Sequence, residues 1–178
     1  MGIFSDLLDG ITITAKSPDG NIECDLVDGR HMEMGFKDGA YKRYSDPALE
    51  HQLAGLLTSL WVGHHQARLS VLSEEFDYLP REEHSTADRP SREFAQERKM
   101  ARAQGRSDSG RITIETVGRS TWSVRVQAGT VSAMDEDGFL QDFWKAFLQT
   151  MAEFRHQMAQ LKRDKFGEMD FHRPSAAR

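Results

Sequence analysis

The sequence predicts an α+β fold of two tandem β-β-β-α units, whose strands form one antiparallel sheet with two long helices packed on one face as a pseudo-dimer. Three observations predict it. Short runs of alternating apolar residues, broken by turn signals, occur over residues 11–36 and again over 112–134. Each set leads into a long segment whose apolar residues recur at helical spacing. A polar, charged stretch separates the two sets, so the chain reads as a repeat.

The first residues, Met1 to Gly10, predict a one- to two-turn amphipathic helix with Ile3, Phe4, Leu7 and Leu8 docked on the body. They are too short and too acidic for a secretory signal. Ile11 and Ile13 then alternate with threonines, which favour strands. Ser17-Pro-Asp-Gly-Asn21 is a turn, because Pro18 fixes φ and Gly20 permits a positive one. Ile22, Cys24 and Leu26 form the apolar face of a second strand. Asp28-Gly29 is a hairpin signal, and Met32, Met34 and Phe36 mark a third strand. Asp46 is placed to cap the helix that follows and Pro47 suits its first turn. Leu49, Leu53, Leu56, Leu60, Gly63 and Ala67 define its seam, which runs to about Glu74.

Residues 80–110 are rich in Arg, Glu, Ser and Asp and punctuated by Pro80, Pro90, Gly105 and Gly110. They read as a solvated linker, with a polar helix over Ser91–Gln104 as the competing expectation. Beyond it, Ile112 and Ile114 repeat Ile11 and Ile13. Gly118-Arg-Ser120 repeats the first turn, Trp122, Val124 and Val126 repeat the second strand, and Ala128-Gly129 the second turn. A short third strand is expected at Val131–Met134, with Asp135 to Gly138 as turn and cap. Leu140, Trp144, Phe147, Met151, Phe154, Met158 and Leu161 line the second helix. The implied organisation is a first unit over 1–79, a linker over 80–110, a second unit over 111–167 and a tail over 168–178.

One three-stranded sheet with one helix leaves an apolar face uncovered. The seams suggest how the units cover each other. On the seam of Leu53, Leu56 and Leu60, Gly63 and Ala67 present small residues where the seam of Trp144 presents the large Phe147, Met151, Phe154 and Met158, so a helix-helix interface is expected. Pairing within one chain gives a monomeric pseudo-dimer; pairing between chains gives a homodimer.

Composition narrows the function. The net charge of −5 argues against a surface that binds phosphates throughout. The single cysteine, Cys24, cannot form an internal disulfide and reads as a core residue. No apolar run approaches the ~20 residues of a membrane span, so a cytoplasmic protein is expected. His64 and His65 are adjacent on a helix and point about 100° apart, a poor arrangement for one metal ion. There is no phosphate loop and no shielded acid/base pair, so neither a cofactor nor an enzyme is expected. Lys37, Tyr41, Lys42, Arg43 and Tyr44 mix charge and aromatic rings in one loop, as nucleic-acid contacts do. An ordinary loop covering a sheet edge has the same composition.

Ile11-Thr-Ile-Thr14, Gly20-Asn-Ile-Glu23, Val27-Asp-Gly-Arg30, Met34-Gly-Phe36 and the helix from Asp46 carry a family resemblance. The pattern resembles the YbaB/EbfC-type fold, and within it the actinobacterial EspD/EspH-like proteins associated with type VII secretion. It covers residues 11 to 72. The sequence departs from that pattern in repeating the unit and in showing no long acidic N-terminal extension. The resemblance implies one of two non-enzymatic roles: an accessory or chaperone-like protein with a protein partner, or, as the alternative, a nucleoid-associated DNA-binding protein. It supplies no catalytic residues.

Overall fold

The structure, a computed structural model, describes residues 12–27, 31–76 and 89–167. The expected N-terminal helix, the Asp28-Gly29 turn and the tail lie outside the described residues. In the first unit, β1 (Thr12–Lys16), β2 (Ile22–Val27) and β3 (His31–Phe36) form an antiparallel meander. A 3-10 turn at Tyr41–Arg43 leads into α1 (Asp46–Phe76). The second unit starts with α2 (Arg89–Met100), followed by β4 (Arg102–Arg106), β5 (Ile112–Val117) and β6 (Thr121–Val126). These strands are again an antiparallel meander. A helical turn, α3 (Thr130–Ala133), then precedes α4 (Glu136–Phe166).

The repeat holds at a constant spacing of 90 residues, as from position 17 to position 107. The Ser17 hydroxyl accepts from the Ile22 N–H, and the Ser107 hydroxyl accepts from the Ile112 N–H. The Gly20 N–H donates to Ser17 O, and the Gly110 N–H to Ser107 O, both at 2.8 Å. Both glycines have φ near +70°, where a side chain would be strained. The helices follow the same offset. Leu49, Leu53, Leu56, Leu57, Leu60, Trp61 and His64 are buried on α1, and Phe139, Phe143, Ala146, Phe147, Thr150, Met151 and Phe154 on α4.

This spacing corrects the expected alignment of the second unit. Ile112 and Ile114 belong to the middle strand and match Ile22 and Cys24, one strand later than expected. The first strand of the second unit is β4, inside the expected linker, and α2 occupies residues 89–100 of it. β4 carries no hydropathy signal because only Ala103 and Gly105 face inward. Residues are that small because α4 lies directly on them: a Cβ on Gly105 would come 2.2 Å from the Ala146 carbonyl oxygen. Residues expected as a strand at Val131–Met134 form the helical turn matching Tyr41–Arg43. Ser45, not Asp46, caps α1, accepting from the Ala48 N–H at 3.3 Å. Asp135 caps α4 as expected, accepting from the Gly138 N–H.

The strands form two separate three-stranded sheets, ordered β1-β2-β3 and β4-β5-β6, and not one continuous sheet. Each long helix covers its own sheet and reaches the last strand of the other: α1 lies on β1, β2 and β6, and α4 on β4, β5 and β3. Strands therefore take the helical seams expected to face each other. Gly63 serves this arrangement, since a Cβ there would lie 2.9 Å from the Ile13 side chain on β1. The buried apolar residues of both units form one cluster.

Hydrogen bonds pin the crossing. The Lys42 ammonium donates to Val131 O and Met134 O at 2.7 and 2.8 Å. The Asp46 carboxylate accepts from the Gly129 and Val131 N–H groups at 2.7 and 2.9 Å. The Glu50 carboxylate accepts from the Val126 N–H at 2.7 Å.

Candidate recognition site at the second hairpin

The turn between β5 and β6 carries an unusual residue. Gly118 and Arg119 both have positive φ, 58° and 59°, and the Ser120 N–H closes the turn on Val117 O. Glycine is needed at position 118, where a Cβ would sit 2.6 Å from the Lys99 carbonyl oxygen. Arginine at position 119 costs roughly 1 kcal/mol or more in the left-handed region. Among the described residues it is the one non-glycine residue with positive φ.

Its side chain explains the placement. The guanidinium carbon lies 4.5 Å from the ring centroid of Trp61 on α1 and 5.2 Å from that of Phe154 on α4. Trp61 stacks in turn on Trp122 of β6, with centroids 5.9 Å apart and planes 10° from parallel. Trp122 stacks on Phe147 of α4. The hairpin of the second unit thus inserts a cation between the helices of both units, on a floor of stacked rings.

The surroundings are cationic. Burial first, then Arg68 and Arg98, pulls the Arg119 guanidinium down to about 10, so it stays charged at neutral pH. His64 packs edge-on against Trp61. Its pKa is lowered by burial, and further by Arg68, Arg119 and His65, which favours the neutral imidazole. Among the described residues, no carboxylate pairs with Arg119, and the buried Trp61 indole N–H has no hydrogen-bond partner.

The residues singled out from the sequence are placed as follows. Tyr41 is buried against Phe36 and Phe139, and its hydroxyl is pushed up to about 12 by burial and by Asp46, Asp135 and Glu136. Lys42 is bonded across the two units. The Tyr44 hydroxyl donates to Asp19 at 2.6 Å. Lys37 and Arg43 are exposed at either end of the loop. Leu53, Leu56 and Leu60 are buried beneath α1, while Gly63 and Ala67 are half-buried. Phe147, Met151 and Phe154 are buried, Trp144 and Met158 half-buried, and Trp144 meets His31 of β3 edge-on. Of these, only Phe154 touches Arg119.

Sequence reasoning missed Arg119 and Trp61, and weighed His64 only as a metal ligand. The available signal was Gly118-Arg119, a glycine followed by a bulky residue in a tight hairpin turn. A second surface feature is an open groove of about 510 Å³ lined by Arg106, Ser107, Asp108, Lys145, Leu148 and Gln149. Its charged groups already have partners: Lys145 pairs with Asp108 at 2.6 Å, and Arg106 donates to Gly110 O at 3.0 Å. Among the described residues, no helix is long and apolar enough to cross a membrane.

Compared with protein-family models, with curated proteins and with solved structures, the chain finds no match.

Proposed function

We propose that this chain is a non-enzymatic, chaperone-like accessory protein of the cytoplasm that works by binding a protein partner, in the setting of type VII secretion. The observation that carries the reading is Arg119. A guanidinium held on two aromatic rings, in a disfavoured backbone conformation and without a carboxylate partner among the described residues, is an arrangement suited to recognition. The family resemblance over residues 11 to 72 supplies the secretion setting. The nucleoid alternative leans on the loop from Lys37 to Tyr44, where Tyr41 and Lys42 already serve the fold, so the interaction role is preferred.

Affinity capture of the full chain from its native cytoplasm, with wild type and Arg119→Gly side by side, tests the role. The expected result is enrichment of a defined partner, encoded near secretion components, by the wild-type chain. Recovery of abundant nonspecific proteins alone contradicts it. A salt-sensitive gel shift with duplex DNA, weakened by changing Lys37 and Arg43 to Ala, would instead favour the nucleoid role.

A further inference from the structure

We infer that the niche formed by Arg119, Trp61, Phe154 and Arg68 binds a carboxylate side chain in an acidic segment of a protein partner. This inference rests on the interaction role proposed above and names the chemistry of its contact.

Three observations carry it. First, Arg119 sits where glycine or asparagine would be favoured, so its side chain compensates for a backbone penalty. Second, positive charge gathers there: Arg68 lies close enough to depress both the Arg119 guanidinium and the His64 imidazole. Like charges brought together at a half-buried place repel, and an arriving anion relieves that repulsion. Third, two rings lie against the guanidinium. Its N–H groups remain for a planar acceptor, and the guanidinium fork matches a carboxylate in two parallel hydrogen bonds. Partial burial strengthens such a pair beyond an exposed one.

A carboxylate fits better than a free phosphate on charge. His64 next to the ring floor is held towards neutrality, and Arg119 offers one fork.

Titration of the full chain with a hexaglutamate peptide at fixed ionic strength, read by tryptophan fluorescence, tests the inference. Trp61 lines the niche and Trp122 stacks on it, so both report its occupation. The expected result is a saturable signal, weakened at least about tenfold in Arg119→Gly, weakened in Arg68→Gln, and unchanged in Arg125→Ala on the outer sheet face. Arg119→Gly suits its left-handed position, so it keeps the turn, and its thermal unfolding is expected to stay close to wild type, relief of backbone strain offsetting the lost ring contacts. Inorganic phosphate at the same ionic strength is expected to give no saturable change. Equal hexaglutamate binding by wild type and Arg119→Gly overturns the inference, as does saturable binding of phosphate with none of hexaglutamate. A captured partner that both chains retain equally overturns this site while leaving the interaction role in place.

Discussion

Arg119 and Trp61 come from different units and meet face to ring at 4.5 Å, so the candidate site exists only where the two halves of the chain pack together. Trp61 is buried at the centre of that contact, stacked on Trp122 and edged by His64. Replacing it removes a large ring from the core and the floor from beneath the guanidinium. Trp61→Ala is expected to lower stability by about 3 kcal/mol or more in urea unfolding. Trp61→Phe, which keeps an aromatic floor, is expected to lose less.

The Asp46 carboxylate makes a second, independent joint. It accepts two backbone N–H groups, from Gly129 and Val131, beyond the end of β6. Asp46→Ala leaves both donors without that acceptor and is expected to cost about 1–3 kcal/mol. Chemical denaturation checks this. A change within experimental error would mean that water replaces the carboxylate without loss.

Much of this arrangement was legible in the sequence, and the gaps have physical causes. The first unit is legible strand by strand because Ile22, Cys24 and Leu26 alternate cleanly with polar residues and Pro18 and Gly20 mark the turn. The first strand of the second unit is not legible, because close approach by α4 demands Ala103 and Gly105, and small residues leave no alternation to detect. That omission shifted the alignment by one strand. Seams on both helices were legible, yet seams do not say what covers them. Gly63 looked like room for a second helix and is instead room for Ile13 of β1. The recognition niche left almost no trace, because Arg119, Trp61, His64 and Phe154 are brought together by packing between units and share no local motif.

Gly105 tests the explanation for the missing signal. A Cβ there would lie 2.2 Å from Ala146 O and 2.4 Å from Thr150 N, both backbone atoms that cannot turn aside. Gly105→Ala is expected to destabilise by about 2 kcal/mol or more. Gly35→Ala on β3, where nothing lies within 4 Å of the added carbon, is the comparison and is expected to be close to neutral. Thermal melts of the two variants distinguish them.

Stability is expected to fall with pH in two windows. His64 has a folded pKa below its ordinary value near 6.5, because burial and then Arg68, Arg119 and His65 oppose its protonation. The unfolded chain therefore binds the extra proton first, and the His64 contribution is present above about 6.5 and lost as pH falls below it. His64→Phe, which copies the residue at the matching position 154, is expected to flatten melting temperature between pH 7.5 and 5. Asp19 acts lower down. Partial burial would raise its carboxyl, but hydrogen bonds from Ser17, Tyr44 and Asn21 outweigh it and hold the group down to about 2. Its contribution is present above the ordinary value of 3.8 and is lost as pH falls towards 2. Asp19→Asn is expected to reduce the slope in that lower window alone.

The central claim is that the two units complete one another within a single chain, through the crossing of α1 onto β6 and α4 onto β3, and so build the niche at Arg119. Sedimentation equilibrium across a wide concentration range tests it most directly. A monomer of 20.2 kDa is expected at every concentration. A stable dimer of twice that mass, persisting on dilution, would contradict it and assign the pairing of units to separate chains.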